Sequence, residues 1–134
     1  MADKFKVRRL WLGVGWALVL LVIYLSLTPA PLEVPIDQGD KVSHVLAYFV
    51  VMSWFANLYE SPVPRFGFAL GFIVLGVALE FVQGWTGYRS LDVADMAANA
   101  AGVVLGWILA PPQLPNYLIA AERLWRSSLM KRDS

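Results

Sequence analysis

Cysteine is absent from the 134 residues, which excludes disulfides, thiolate metal sites and a thiol nucleophile. Histidine occurs once, at His44, and a site built from several imidazoles of one chain is excluded with it. Charge is scarce, at 16% of residues, and balanced. Eleven basic against ten acidic side chains leave a net +1, so the chain has no general attraction for nucleic acid or another polyanion. There is no internal repeat, no low-complexity tract and none of the period-2 alternation of a barrel strand. What is abundant is apolar: 58% of the chain is hydrophobic, a composition that favours the membrane class.

Four apolar segments stand out, Leu10 to Leu27, Val42 to Tyr59, Phe66 to Val82 and Val93 to Leu109. Each has about 17 or 18 residues, or about 26 Å as a helix at 1.5 Å per residue, close to the thickness of a bilayer core. Breakers separate them: Thr28, Pro29, Ala30 and Pro31 end the first, Ser61, Pro62, Val63 and Pro64 precede the third, and Pro111 and Pro112 end the fourth. A backbone in hydrocarbon must satisfy its own polar groups. The expected fold is therefore all-α, a polytopic membrane four-helix bundle forming one domain over residues 1–134. A cleaved secretory signal is the alternative for the first segment. Its apolar core is too long for one, and prolines stand where a small-residue cleavage site would be.

Basic residues orient the bundle. Lys4, Lys6, Arg8 and Arg9 precede the first segment and Arg123, Arg126, Lys131 and Arg132 follow the last, whereas the first and third loops carry only Lys41 and Arg89. Both ends are expected on the cytoplasmic side, with the loops Pro29 to Lys41 and Gln83 to Asp92 outside. Trp11, Trp54, Tyr59 and Trp107 then fit an inner aromatic belt, and Tyr24, Trp85 and Tyr88 an outer one. In the cytoplasmic tail, 113–134, the residues Tyr117, Leu118, Ala121, Leu124, Trp125 and Ser128 share one side of a helix, with Ile119 and Arg132 breaking the pattern. This predicts a C-terminal amphipathic helix lying at the inner membrane surface.

Polar residues inside the spans gather at the outer ends. Asp40, His44 and Tyr48 recur every four residues, Glu80 and Gln83 are three apart, and Asp92, Asp95, Asn99 and Gly102 form a third row. Three such stripes facing one another make a shallow outer cavity. A carboxylate at the centre of a span costs about 2.5 to 3.5 kcal/mol, so these groups must be paired, hydrated or protonated. Arg89 is the expected cation for Glu80, Asp92 or Asp95, because its donor fork matches a carboxylate. Small residues of the fourth segment, among them the Gly102 and Gly106 pair, predict close helix approach, as do Gly67 and Gly71 in the third.

The stretches DKVSHVLAYFV (Asp40 to Val50), ALEFVQ (Ala78 to Gln83) and GYRSLDVADMAANAAGVVLG (Gly87 to Gly106), in that order, resemble the VanZ-like family of small bacterial membrane proteins. The likeness covers roughly Asp37 to Leu109. It implies that the family's characteristic polar residues correspond here to Asp40, Lys41, His44, Glu80, Gln83, Arg89, Asp92, Asp95 and Asn99. The family takes its name from an accessory protein of resistance to the glycopeptide teicoplanin, which implies work at the cell envelope and a bacterial inner (cytoplasmic) membrane location.

The leading functional expectation is a protein that binds or handles an envelope lipid or lipid-linked cell-wall precursor. Arg89 and Lys41 meet its phosphate, and Asp40, Gln83, Asp92 and Asn99 complete the ligand-binding set. An enzyme acting on a phosphate-bearing envelope lipid is a second reading. It takes His44 as general base, Glu80 or Asp95 as its partner, and a divalent cation such as Mg²⁺ at Asp92 and Asp95, with no other cofactor. Neither Ser43 nor Ser90 makes a convincing nucleophile. The third reading is a structural polar network without a ligand.

Overall fold

The computed structural model describes residues 4–29, 39–87 and 90–134. They form five helices, α1 (Arg8–Leu27), α2 (Gly39–Leu58), α3 (Pro62–Trp85), α4 (Val93–Ile108) and α5 (Tyr117–Arg132), with no strand among the described residues. The all-α expectation holds, and the four apolar segments each lie within a few residues of a helix. α1 and α3 are long and apolar enough to cross a membrane, while α4, at 16 residues, is apolar but shorter. One boundary differs: Pro62 and Pro64 lie inside the first turn of α3. Proline suits that turn, where its missing N–H has no helical acceptor to lose.

α2 is the central element and runs closest to α4, with α1 and α3 against its other sides. Met52, Phe55 and Ala56 of α2 have no exposed surface, and Val19, Val22, Ala69, Phe72 and Val103 close around them. Phe55 stacks on Phe68 with ring centroids 4.6 Å apart. Glycine sets the intimacy of the α2–α4 contact. A Cβ on Gly106 would lie 2.9 Å from both Phe49 O and Ser53 N, and one on Gly102 would press on the Val45 carbonyl oxygen. The expected role of Gly102 and Gly106 is thus met. That of Gly67 and Gly71 is not: a Cβ at either would meet nothing within 4 Å. Two other glycines of α3 do touch neighbours: Gly76, whose missing side chain makes room for Asn99 and Tyr48, and Gly84, which lies against Leu91.

The helices run alternately up and down, so the bundle has two polar ends. At one end lie the starts of α1, α3 and α5 with the close of α2. Lys4 pairs with Glu60 at 3.0 Å, and Arg8 donates to Leu58 O across the Tyr59 ring. Here the first turns of α5 dock on the bundle. Leu118 and Ile119 pack on Phe5 and Leu58, and Glu122 is buried. Leu124 and Trp125 stay exposed, whereas the Tyr117 ring lies 6.2 Å from that of Trp54 and its hydroxyl is 3.0 Å from Ser53 Oγ. Glu122 accepts from the backbone N–H of Lys6 at 2.6 Å and of Val7 at 3.4 Å, and from the Trp11 indole at 2.8 Å. Burial pushes its carboxyl up, but those donors hold it below the usual range.

Candidate functional site

The opposite end collects the start of α2, the close of α3 and the start of α4. Asp92 caps α4, its Oδ1 accepting from Ala94 N–H at 2.9 Å, and its own backbone N–H donates to Glu80 Oε1 at 2.6 Å. That bond ties the loop before α4 to α3 and so fixes how Asp95 and Asn99, one and two turns further on, enter the bundle. Glu80, 1% exposed, is the most enclosed acid in the site.

A lysine lies at the centre. Lys41 Nζ is 2.7 Å from Asp40 Oδ2, 2.8 Å from Asp92 Oδ2 and 2.5 Å from Asp95 Oδ1. An ammonium has three N–H donors, so all of them are committed. The Lys41 bond, seconded by Ala94 N–H, holds the Asp92 carboxyl below the ordinary range. One turn deeper, His44 Nδ1 is 2.7 Å from Asn99 Oδ1, and its Nε2 is 3.5 Å from Asp95 Oδ2. Both ring nitrogens therefore face protein groups.

The geometry sorts the expected site residues. Asp40, Lys41, His44, Asp92, Asp95 and Asn99 form one connected cluster, with Glu80 joined to it through the Asp92 backbone. Gln83 does not reach the cluster's side chains. Its amide donates to Ser26 O at 2.6 Å and satisfies a carbonyl in the last turn of α1. Arg89 and Tyr88, with most of the loop from Pro29 to Lys41, lie outside the described residues; the cation found among the acids is Lys41. Its three donors are taken up by Asp40, Asp92 and Asp95, where a ligand phosphate was the expected partner. Of the two partners expected for His44, Asp95 is the one that faces it. The Ser43 hydroxyl donates to Gly39 O at 2.9 Å, in keeping with its rejection as a nucleophile.

Oxygen atoms of Asp40, Asp92 and Asp95 lie within 4.8 Å of one another, a donor set suited to a hard divalent cation. Lys41 supplies the positive charge among those same carboxylates. Removing it is expected to expose a cation site. Lys41→Met should bind Mn²⁺ or Mg²⁺ at least about tenfold more tightly than wild type in calorimetry. Equal affinities would show that the ammonium does not compete for the place.

Residues that the sequence left as loop or tail charges do structural work at the other end. The Arg65 guanidinium, 8% exposed, donates to the carbonyls of Ala56, Tyr59 and Pro111. Asn57 and Asn116 link the close of α2 to α5, with Asn116 Nδ2 donating to Asn57 O at 2.8 Å.

A protein of Schizosaccharomyces pombe, described only as uncharacterized, is 32% identical to the chain over 108 residues, covering 78% of this chain. The chain spans 65% of the length of that relative. No protein-family model matches the chain, and no solved structure matches it.

Proposed function

We propose that the chain is an integral membrane protein of four spans, α1 to α4, with α5 on the inner surface. Its Asp–Lys–His cluster, at the outer interface, binds the headgroup of an envelope lipid or lipid-linked precursor through that headgroup's hydroxyl or amino donors. The observation that carries this reading is the mismatch between donors and acceptors. Lys41 has no N–H left, while the Asp40 and Asp92 side chains are each 44% exposed and keep acceptor positions that no described residue fills. The outer rim thus offers acceptors, which suits sugar hydroxyls or an amine better than a bare phosphate.

The membrane part of the reading is supported by apolar surface that water would not favour. Leu20 and Tyr24 of α1 and Phe66, Leu70 and Val74 of α3 are all more than half exposed, in line with two helices of spanning length. The positions of the basic residues favour a cytoplasmic side at the Lys4 and Arg8 end. The resemblance to VanZ-like proteins favours a bacterial inner membrane and a link to glycopeptide resistance. The relative from Schizosaccharomyces pombe, a eukaryote, favours a lipid headgroup over a bacterial cell-wall precursor as the ligand.

Lipids retained by the purified protein in native mass spectrometry test the proposal, with wild type beside Asp40→Asn, Glu80→Ala and Arg89→Ala. One hydroxyl- or amine-bearing species should be lost from Asp40→Asn by about tenfold, the size of one charge-assisted hydrogen bond. An unchanged lipid complement in all three variants would leave the structural network as the better reading. That second reading draws on one observation of its own: among the described residues no buried side-chain nitrogen or oxygen lacks a partner. An enzyme is the least favoured, because neither nitrogen of His44 is turned toward an open position.

A further inference from the structure

About 22 Å along α3 from Glu80, at 1.5 Å per residue, the other end of the bundle holds a cleft of about 630 Å³ between the start of α3 and the close of α4. The volume is that of a small-ligand site. Val104, Trp107 and Ile108 make one wall, and Arg65 and Glu60 bring opposite charges to the same space. Arg65 lies in the cleft with donors in reserve. A guanidinium has five N–H groups. Its Nε is shared between Ala56 O and Tyr59 O, Nη1 gives one bond to Pro111 O and Nη2 one to Ala56 O, so two N–H groups have no acceptor among the described residues. Glu60 spends one oxygen on Lys4 at 3.0 Å and the other on a longer contact to Asn116 at 3.3 Å, and its side chain is 39% exposed.

The geometry points to a second lipid site here, one that takes a phospholipid with a zwitterionic headgroup. The two spare donors of Arg65 suit the phosphate, since a planar fork can donate to two oxygens side by side. A purely anionic headgroup would meet the Glu60 carboxylate, whereas an ammonium on the same headgroup turns that repulsion into attraction. The apolar wall continues onto the exposed face of α4, where Val104 and Ile108 are 44% and 54% exposed, and this gives an acyl chain a path out of the cleft. Trp107 lies where an indole can span the boundary between headgroup and chain.

Arg65 also holds the backbone, so the test fills the cleft from its lipid-facing wall and leaves Arg65 intact. Phosphatidylethanolamine and phosphatidylglycerol are titrated onto delipidated protein in detergent and followed by native mass spectrometry. Wild type is expected to bind phosphatidylethanolamine the more tightly. Ile108→Trp should weaken that binding by about tenfold, and Glu60→Gln should abolish the preference between the two lipids. Asp40→Asn, at the opposite end, should leave both affinities unchanged, which separates this site from the outer cluster. Ile108→Trp binding as wild type does, or a wild-type preference for phosphatidylglycerol, would overturn the inference.

Discussion

Gly102→Ala is expected to destabilise the bundle by about 1 to 3 kcal/mol, and Gly102→Leu to prevent its assembly. The reason is what stands opposite. A Cβ at this position would press on the Val45 carbonyl oxygen and lie 3.0 Å from Phe49 N, and both atoms belong to the backbone of α2. No rotamer change relieves such a clash, so the helices must separate, and their separation opens the contact that carries Val103, Tyr48 and Met52. Gly71→Ala is the control. Its Cβ would enter open space within a helix, and exchanging glycine for alanine there should raise stability by up to about 1 kcal/mol. Thermal denaturation in detergent, read as the fraction remaining monodisperse after heating, compares the two. Similar losses in both variants, or none in Gly102→Ala, would show that the close approach of α2 and α4 is not what holds the bundle.

Arg65→Met should cost more than about 3 kcal/mol, because it leaves three backbone carbonyls without their donor at a penalty of about 1 to 3 kcal/mol each. Ala56 and Tyr59 stand at the close of α2, where carbonyls have no partner further along the helix, and Pro111 lies just beyond α4. One side chain of α3 thus closes the ends of two other helices. Arg65→Lys is expected to fall between the two, since an ammonium recovers some donors but not the spacing of the fork. The same heating assay serves. A methionine variant that melts with wild type would mean that water supplies those carbonyls equally well.

Much of this architecture can be read from the chain, and the failures have a common cause. The four apolar runs, their proline boundaries and the row Asp92, Asp95, Asn99, Gly102 all follow from helical period, which depends only on where each Cβ points. Lys41 was harder to place, since it adjoins Asp40 and so leaves the helix in another direction. Its long stem nevertheless carries the ammonium back among the acids of α4, and reach of this kind is invisible to period. Arg65 and Glu122 escape a sequence reading because most of their partners are backbone groups, which have no letter in a sequence. Gly76 did carry a signal: it stands four residues before Glu80, on the same side of α3. The docking of Leu118 and Glu122 has no periodic signal, because only the first two turns of α5 meet the bundle.

The clasp between Glu122 and the first helix also bears on biosynthesis. The N–H groups of Lys6 and Val7 leave the ribosome early, yet the carboxylate that receives them is made more than a hundred residues later. The acidic cluster, by contrast, is complete once Asn99 has been added. A chain released before residue 122 would therefore carry a complete acidic cluster while the N–H groups of Lys6 and Val7 still lacked the carboxylate that accepts from them.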